Sequence, residues 1–224
     1  MKNVLLFLLA ALSLGACKSL KVSDFHTKQS IPEKLPDLGL LVHERSFLAA
    51  FDEEYLRRKL SDDNDIWFGF QITDQALSDV FKLLENDLQE NITQNGDGKY
   101  GHARFKLVEY RRPWRGVGWI VPSIATLFVA NVAGMPFAVV RAELELQMEI
   151  TDAEGNVLIR YVAPGFGKSP QAFYYGYTAS DAVRRANLNA LKDAINQIKG
   201  KMAADVPMLT GKLLASGKVK KENK

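Results

Sequence analysis

The stretch Val140–Ala163, VRAELELQMEITDAEGNVLIRYVA, carries the clearest secondary-structure pattern in the chain. In its first part, apolar side chains alternate with charged or amide side chains. Because successive side chains of a strand point to opposite faces, this alternation predicts an antiparallel strand with one buried and one solvated face. TDAEGN at 151–156 predicts a turn, and VLIRYVA at 157–163 predicts the returning strand of a β-hairpin. The alternating apolar residues are Val140, Ala142, Leu144, Leu146, Met148 and Ile150.

Two other segments have the apolar spacing of amphipathic helices. In ITDQALSDVFKLLENDLQENI at 72–92, apolar residues recur at intervals of three and four, and Asn95-Gly96 marks the end of the pattern. TASDAVRRANLNALKDAINQIKGKM at 178–202 has a broader apolar stripe. Its Thr178 and Asp181 resemble a capping box, in which two side chains satisfy the free N–H groups at a helix start. We predict that both helices dock on a sheet through their apolar faces.

Two further strands complete the predicted fold. LGLLVHERSF at 38–47 and HARFKLVEYRR at 102–112 both have strand-like patterns, and Pro113 ends the second. The predicted order is strand, helix, strand, apolar stretch, hairpin, helix. Since strands and helices do not alternate strictly, we predict an α+β fold, with an antiparallel sheet of about four strands and two amphipathic helices on one face. The apolar stretch is expected to form a helical or hairpin insertion.

The first residues, MKNVLLFLLAALSLGACKSL, have the organisation of a secretory signal peptide. Lys2 precedes an apolar core, Val4–Leu14, that is shorter than the ~20 residues needed to cross a bilayer. The following LGAC at 14–17 resembles the lipobox of bacterial lipoproteins. The resemblance implies cleavage before Cys17, a diacylglyceryl group on its sulfur and an acyl chain such as palmitate on the new amino group. In such lipoproteins, an Asp directly after the acylated cysteine resembles a signal for retention in the inner membrane. This chain has Lys18 at that position, which implies the outer membrane.

The composition agrees with a lipid-anchored domain that has an ordinary core. Cys17 is the single cysteine of the chain and stands where a lipobox requires one. Once this cysteine is acylated, no intramolecular disulfide can form, so stability must come from apolar packing. The hydrophobic fraction of 47% is sufficient for that, and a net charge of +3 is too small to indicate a nucleic-acid-binding protein.

The two ends of the chain lack apolar periodicity. The polar segment before residue 38 contains two prolines and is predicted to be a flexible tether that reaches about 25 Å. The end of the chain is rich in lysine and is predicted to be a flexible tail. The predicted parts are a signal peptide at 1–16, a lipidated N-terminus and tether at 17–37, a single α+β domain at 38–210 with an apolar insertion at 114–136, and a basic tail at 211–224.

GFGKS at 165–169 follows a predicted strand and has some features of a phosphate-binding loop. That motif requires an earlier glycine at the position of Val162, and Pro170 stands where the phosphate-binding helix would begin. We therefore predict that the segment is a loop leaving the hairpin.

Other catalytic and metal-binding motifs are also incomplete. The three histidines are far apart in sequence, and no cysteine remains to complete a zinc site. SDDND at 61–65 lacks the glycine that a calcium-binding loop needs for its sharp turn. The sequence also lacks a Gly-x-Ser-x-Gly nucleophile motif. We predict no catalytic residue, no cofactor and no metal, and hence a protein that is not an enzyme.

Gly116–Val140 contains no charged residue and is long enough to suggest a transmembrane helix. However, Pro122 and Pro136 interrupt the segment. The part between them that suits a helix, 123–133, would be about 16 Å long at 1.5 Å per residue, or half of a bilayer core. The sequence therefore favours an apolar element that does not cross the membrane.

Two interpretations of this insertion remain open. It is either a short helix or hairpin buried under the sheet, or a surface segment that contacts the membrane or a partner. Tryptophan beside arginine is typical of membrane interfaces and supports the second interpretation, but the sequence does not decide between the two. The candidate contact residues are Trp114, Trp119, Ile120, Phe128 and Val129.

These features together predict a lipid-anchored protein of the outer membrane that faces the periplasm or the cell exterior. It would act without catalysis, as a binding or assembly component of a membrane-associated machine. Its expected partners are the membrane, through Cys17, and an envelope protein, but not a nucleic acid. The element order resembles small α+β envelope lipoproteins and the N-terminal domain type of periplasmic Tol-system proteins. Two alternatives are a carrier that holds a lipid or other amphiphile between sheet and helices, and a hydrolase of envelope polymers.

Overall fold

The predicted α+β fold is confirmed by a four-stranded sheet with helices packed on one face. The computed structural model describes residues 20, 22–51, 74–113, 120–132, 135–136, 138–172 and 179–220. The strands lie in the order β1-β2-β3-β4. They are β1 (Gly39–Val42), β2 (His102–Arg111), β3 (Ala138–Thr151) and β4 (Val157–Gln171).

Helices connect and cover these strands. A 3-10 helix, Val22–Phe25, precedes β1, and one π-helical turn, Leu88–Ile92, extends the second α-helix. The α-helices are α1 (described for 44–51), α2 (Asp74–Asp87), α3 (Ile120–Ala125), α4 (Val129–Val132), α5 (Ala179–Met202) and α6 (Val206–Ser216).

The sheet is mixed. Strands β2, β3 and β4 are antiparallel, as predicted, whereas β1 lies parallel to β2. The strand predicted over 38–47 ends at Val42, because the next residues start α1. Ser46 donates its backbone N–H to His43 Nδ1 at 3.2 Å and its hydroxyl to the His43 carbonyl at 2.7 Å. Such local bonds satisfy the free groups of a helix start and compete with strand pairing.

The hairpin of β3 and β4 forms the centre of the core. The alternation predicted for β3 is confirmed, since Ala142, Leu144, Leu146, Met148 and Ile150 are all buried. At the turn, the Asp152 carboxylate accepts hydrogen bonds from the backbone N–H groups of Glu154 and Asn156, both at 2.9 Å.

Strand β4 is longer than predicted and includes GFGKS. The predicted loop at 165–169 is therefore wrong: these residues pair with β3 up to Gln171. Prolines at both sides of the motif suggested a loop, but β4 is an edge strand. A proline is tolerated there, because its missing N–H does not have to reach a second neighbour.

Helix α5 packs closely across β3 and β4. Small residues make this close packing possible. A β-carbon on Gly167 would overlap the Ala186 carbonyl oxygen and lie 2.5 Å from the Ala190 nitrogen. A β-carbon on Gly165 would overlap the Ala190 carbonyl oxygen and lie 2.9 Å from Ala194 Cβ. The two glycines of GFGKS thus have a packing role.

Polar contacts fix the helices relative to each other and to the sheet. Arg184 of α5 forms two hydrogen bonds with the Asp79 carboxylate of α2, at 2.6 and 2.9 Å. Inside the core, the Tyr110 hydroxyl of β2 donates to Asn187 Oδ1 at 2.8 Å. A paired planar guanidinium and carboxylate give both strength and a defined orientation.

Residues 22–37 pack on the domain, so the predicted tether is wrong over this range. Phe25, Ile31 and Leu35 are 6%, 4% and 0% exposed. Leu35 also donates its N–H to the Ile92 carbonyl at 3.0 Å. These apolar residues are spaced irregularly because each one docks separately on the helices, so no helix or strand period revealed them.

A buried ion pair holds the same segment in place. Lys199 Nζ lies 2.9 Å from Asp87 Oδ1, and the two side chains are 0% and 1% exposed. Lys199 also donates to Thr27 Oγ1 at 2.6 Å and to the Gln29 carbonyl oxygen. Burial lowers the pKa of Lys199, and the negative charge of Asp87 opposes this shift. Asn91 Nδ2 donates to the same Asp87 oxygen at 2.8 Å.

The predicted flexible tail begins later than expected. Residues 211–216 belong to α6, and Leu213 is fully buried, so the prediction is wrong there. Beyond the helix, Val219 donates its N–H to the Lys99 carbonyl at 2.8 Å, and Lys218 Nζ lies 5.8 Å from the centroid of the Tyr100 ring. The end of the described chain therefore lies beside the start of β2.

Candidate functional site

The insertion between β2 and β3 presents a cluster of large apolar side chains to solvent. Its described part consists of two short helices, α3 and α4, joined by a turn. Large contiguous apolar surfaces on a folded protein mark sites of contact with a membrane, a partner or a ligand. We call the exposed residues the apolar patch: Val121 (69% exposed), Ile124 (57%), Leu127 (83%), Phe128 (49%) and Val129 (68%).

The turn between α3 and α4, which carries part of the patch, has a strained backbone. Leu127 and Phe128 have φ angles of 49° and 61°, in the left-handed region. This conformation costs a residue with a side chain about 1–2 kcal/mol. The turn is held by bonds to the preceding helix, from Thr126 N to the Pro122 carbonyl at 3.0 Å and from Phe128 N to the Ser123 carbonyl at 2.8 Å. Strain of this kind concentrates at functional sites.

The inner side of the insertion is polar, which inverts the usual arrangement of a folded segment. Ser123 and Asn131 are 1% and 0% exposed, while their apolar neighbours face solvent. Asn131 Nδ2 donates to the Met135 carbonyl at 3.1 Å, which ties α4 to the chain entering β3. Buried polar groups anchor the segment, so its apolar side chains remain available for contact.

The structure distinguishes between the two interpretations of the insertion where it describes the candidate residues. The side chains of Phe128 and Val129 are exposed, so they are not part of the core. Ile120 is the first residue of α3. Trp114, Trp119 and the lipidation candidate Cys17 lie outside the described residues.

Three patch residues were absent from the sequence-based candidates: Val121, Ile124 and Leu127. Their spacing of three residues is the signal that points to them, because residues at that interval lie on one side of a helix. The signal was hidden, since every neighbouring position is also uncharged and the periodicity of the segment is weak.

No helix within the described ranges has both the length and the apolar character needed to cross a membrane. The same ranges contain no group of three or more His, Cys, Asp or Glu side chains arranged to bind a metal ion.

A small cavity lies between the end of β4 and α5. It has a volume of about 180 Å³, and its lining is mainly polar. Ligand pockets usually have volumes of about 300–1,000 Å³ and mostly apolar walls. The cavity is thus a poor fit for a lipid or other amphiphile. Its lining residues are Asp24, Lys168, Ser169, Pro170, Arg185, Leu188 and Asn189.

Replacing Phe128 and Val129 together by serine is expected to leave the fold intact. Both side chains are already exposed, so the free energy of unfolding should change by no more than about 1 kcal/mol. Urea denaturation followed by circular dichroism measures this change. The control is Leu146→Ser, a similar change at a residue that is 0% exposed, where a loss of about 3 kcal/mol or more is expected. A double variant as unstable as the control would place the patch in the core.

Comparison with known proteins found no protein-family model that matches the chain and no curated protein with significant similarity to it.

Proposed function

We propose that this chain is a lipid-anchored protein of the cell envelope that acts as a non-enzymatic binding or assembly component at the outer membrane. The observation that carries the proposal is the apolar patch, which is exposed on a strained and internally anchored turn. A surface of this kind serves contact rather than stability. The lipobox-like sequence that ends at Cys17 supports a location where a membrane and its machinery are within reach.

The packing of the N-terminal segment supports close contact between domain and membrane. Leu20 is partly buried against the core and follows Cys17 by only three positions. Three residues span at most about 11 Å. A lipid on Cys17 would therefore hold the domain directly at the bilayer, rather than at the end of a flexible tether of about 25 Å.

The anchor can be tested by the intact mass of protein extracted with detergent from bacterial membranes. We expect a chain that begins at Cys17 and carries the additional mass of a diacylglyceryl group and an acyl chain. The Cys17→Ala variant should lack this mass and lose its retention in the membrane fraction. The same spectrum shows whether the leader was removed, so retention by an uncleaved leader is recognised.

A wild-type chain without acyl mass would contradict the anchor. So would a cleaved Cys17→Ala chain that still fractionates wholly with the membrane. A variant in which Ser216, at the end of α6, is replaced by alanine provides a matched control, because processing and retention should be unchanged there.

A further inference from the structure

The apolar patch lies at a defined end of the domain. The insertion leads into β3, whose first residue, Ala138, pairs with Gln171, the last residue of β4. At the other end of β3, Thr151 pairs with His102 and precedes the hairpin turn. We call these two ends of the sheet the patch end and the turn end.

The N-terminal segment runs along α5 from the patch end toward the turn end. Early in the segment, the Ser23 carbonyl accepts a hydrogen bond from Lys192 Nζ at 3.4 Å. Further along, Thr27 accepts one from Lys199. Since α5 starts beside the end of β4, Lys192 is nearer to the patch end than Lys199. The described chain therefore leads back toward the patch end as it approaches Cys17.

The cavity beside β4 locates the start of this segment relative to the sheet. Asp24 lines it together with Ser169 and Pro170. These two residues pair with Val140 and Val139, which follow directly after the first residue of β3. Three residues of a strand extend over about 10 Å. Three residues of chain reach at most about 11 Å, so Leu20 limits the distance from the described domain to the Cys17 anchor to about that length.

Two exposed cations lie at the same end. Arg141 and Lys168 are directly opposite each other in the β3–β4 ladder, and both are exposed. Neither forms an ion pair with any residue in the part of the chain that the structure describes. Like charges in opposite positions destabilise a sheet unless a ligand of opposite charge lies between or above them. Anionic phospholipid headgroups would supply that charge over a broad, flat area.

We propose that the apolar patch inserts into the anionic phospholipid surface of the membrane that holds the Cys17 anchor, with Arg141 and Lys168 against the headgroups. This inference rests on the proposed function and names the partner of its contact surface. Apolar side chains on a short segment with cations at the rim are typical of insertion at the level of the headgroups. The short link to the anchor makes the bilayer the partner nearest to the patch.

A fluorescent reporter on the lipidated protein tests the insertion. With Cys17 acylated, a cysteine introduced by Phe128→Cys is the only free thiol and can be labelled with bimane. The protein is reconstituted into vesicles of phosphatidylcholine and phosphatidylglycerol that contain lipids brominated close to the headgroup. These lipids should quench the reporter by about half, because a patch residue would reach the upper acyl chains. The matched control is Glu154→Cys in the hairpin turn, which should remain unquenched.

Charge reversal tests the role of the two cations. The substitutions Arg141→Glu and Lys168→Glu, added together to the Phe128→Cys chain, should reduce the quenching about twofold or more. Lys106→Glu with Lys212→Glu changes the net charge equally at two other exposed lysines and should have little effect. Vesicles of phosphatidylcholine alone carry no net charge, so the two charge variants should show the same quenching there.

The outcomes separate this inference from the proposed function. If the acylated protein floats with vesicles but the reporter at 128 is unquenched, the docking is overturned while the anchor stands. If the protein is not acylated, the proposed function itself is contradicted. Equal quenching at 128 and 154 would overturn the orientation. A photo-crosslinker at 128 that yields a discrete protein adduct in cells would instead identify a protein partner, or a second copy of the chain, as the occupant.

Discussion

Replacing Gly167 by alanine is expected to abolish the native packing of α5 on β4. The new β-carbon would overlap the carbonyl oxygen of Ala186 and approach the nitrogen of Ala190 to 2.5 Å. Both contacts are with backbone atoms, which cannot move aside as the end of a side chain can. Either the helix must lift from the sheet or the strand must shift, and many apolar contacts are lost in both cases. We expect a loss of about 3–5 kcal/mol, a large part of the 5–15 kcal/mol that stabilises a typical domain.

Thermal and urea denaturation of the purified variant measure this loss, and a large effect should also appear as low soluble yield. Gly200→Ala in α5 is the matched control, since a β-carbon there meets no atom within 4 Å. There, alanine should stabilise the protein by about 0.5–1 kcal/mol, because it favours the helix more than glycine does. A Gly167→Ala protein within 1 kcal/mol of the wild type would contradict the close packing described above.

Replacing Lys199 by methionine should have the second largest effect. Methionine fills a similar volume but leaves the Asp87 carboxylate buried without its cation. Removal of one member of a buried ion pair costs about 3–5 kcal/mol. The contacts of Lys199 with Thr27 and the Gln29 carbonyl are lost as well, so the N-terminal segment should detach. Urea denaturation gives the stability change, and limited trypsin digestion at Lys28 and Lys34 reports detachment.

A double variant, Lys199→Met with Asp87→Leu, separates the ion pair from simple packing. Because neither charge remains, its loss should be smaller than the sum of the two single losses. The control is Lys212→Met at an exposed position of α6, where a change within about 0.5 kcal/mol is expected. Additive losses, or trypsin resistance of residues 22–37 in the Lys199→Met protein, would contradict the role assigned to the pair.

The elements predicted correctly from the sequence are those whose pattern is local. The alternation over 140–150 identified β3, because a strand with one buried face requires every second side chain to be apolar. The helical spacing over 72–92 and 178–202 identified α2 and α5 for the corresponding reason. The α+β class follows from the order of such elements along the chain.

The errors arose where a role depends on residues that are distant in sequence. GFGKS could not be recognised as a strand from its own composition. Its two glycines are required because the backbone of α5 at Ala186 and Ala190 packs directly against them. Residues 22–37 looked like a tether because Lys199, far along the chain, supplies the contact that orders them. In both cases the packing partners are distant in sequence, so no helix or strand periodicity indicates them.

The uncharged insertion also has one property that the sequence predicts and another that depends on the tertiary structure. Its composition and its two prolines were enough to predict an apolar element too short to cross a membrane. Composition could not decide whether that element is buried, because burial requires an unoccupied apolar face elsewhere in the domain. In the folded protein, the helices already cover the apolar face of the sheet, and the other face carries charged residues such as Arg104 and Glu143. The apolar face of the sheet is thus already occupied, and the patch residues stay exposed while Ser123 and Asn131 of the same insertion are buried.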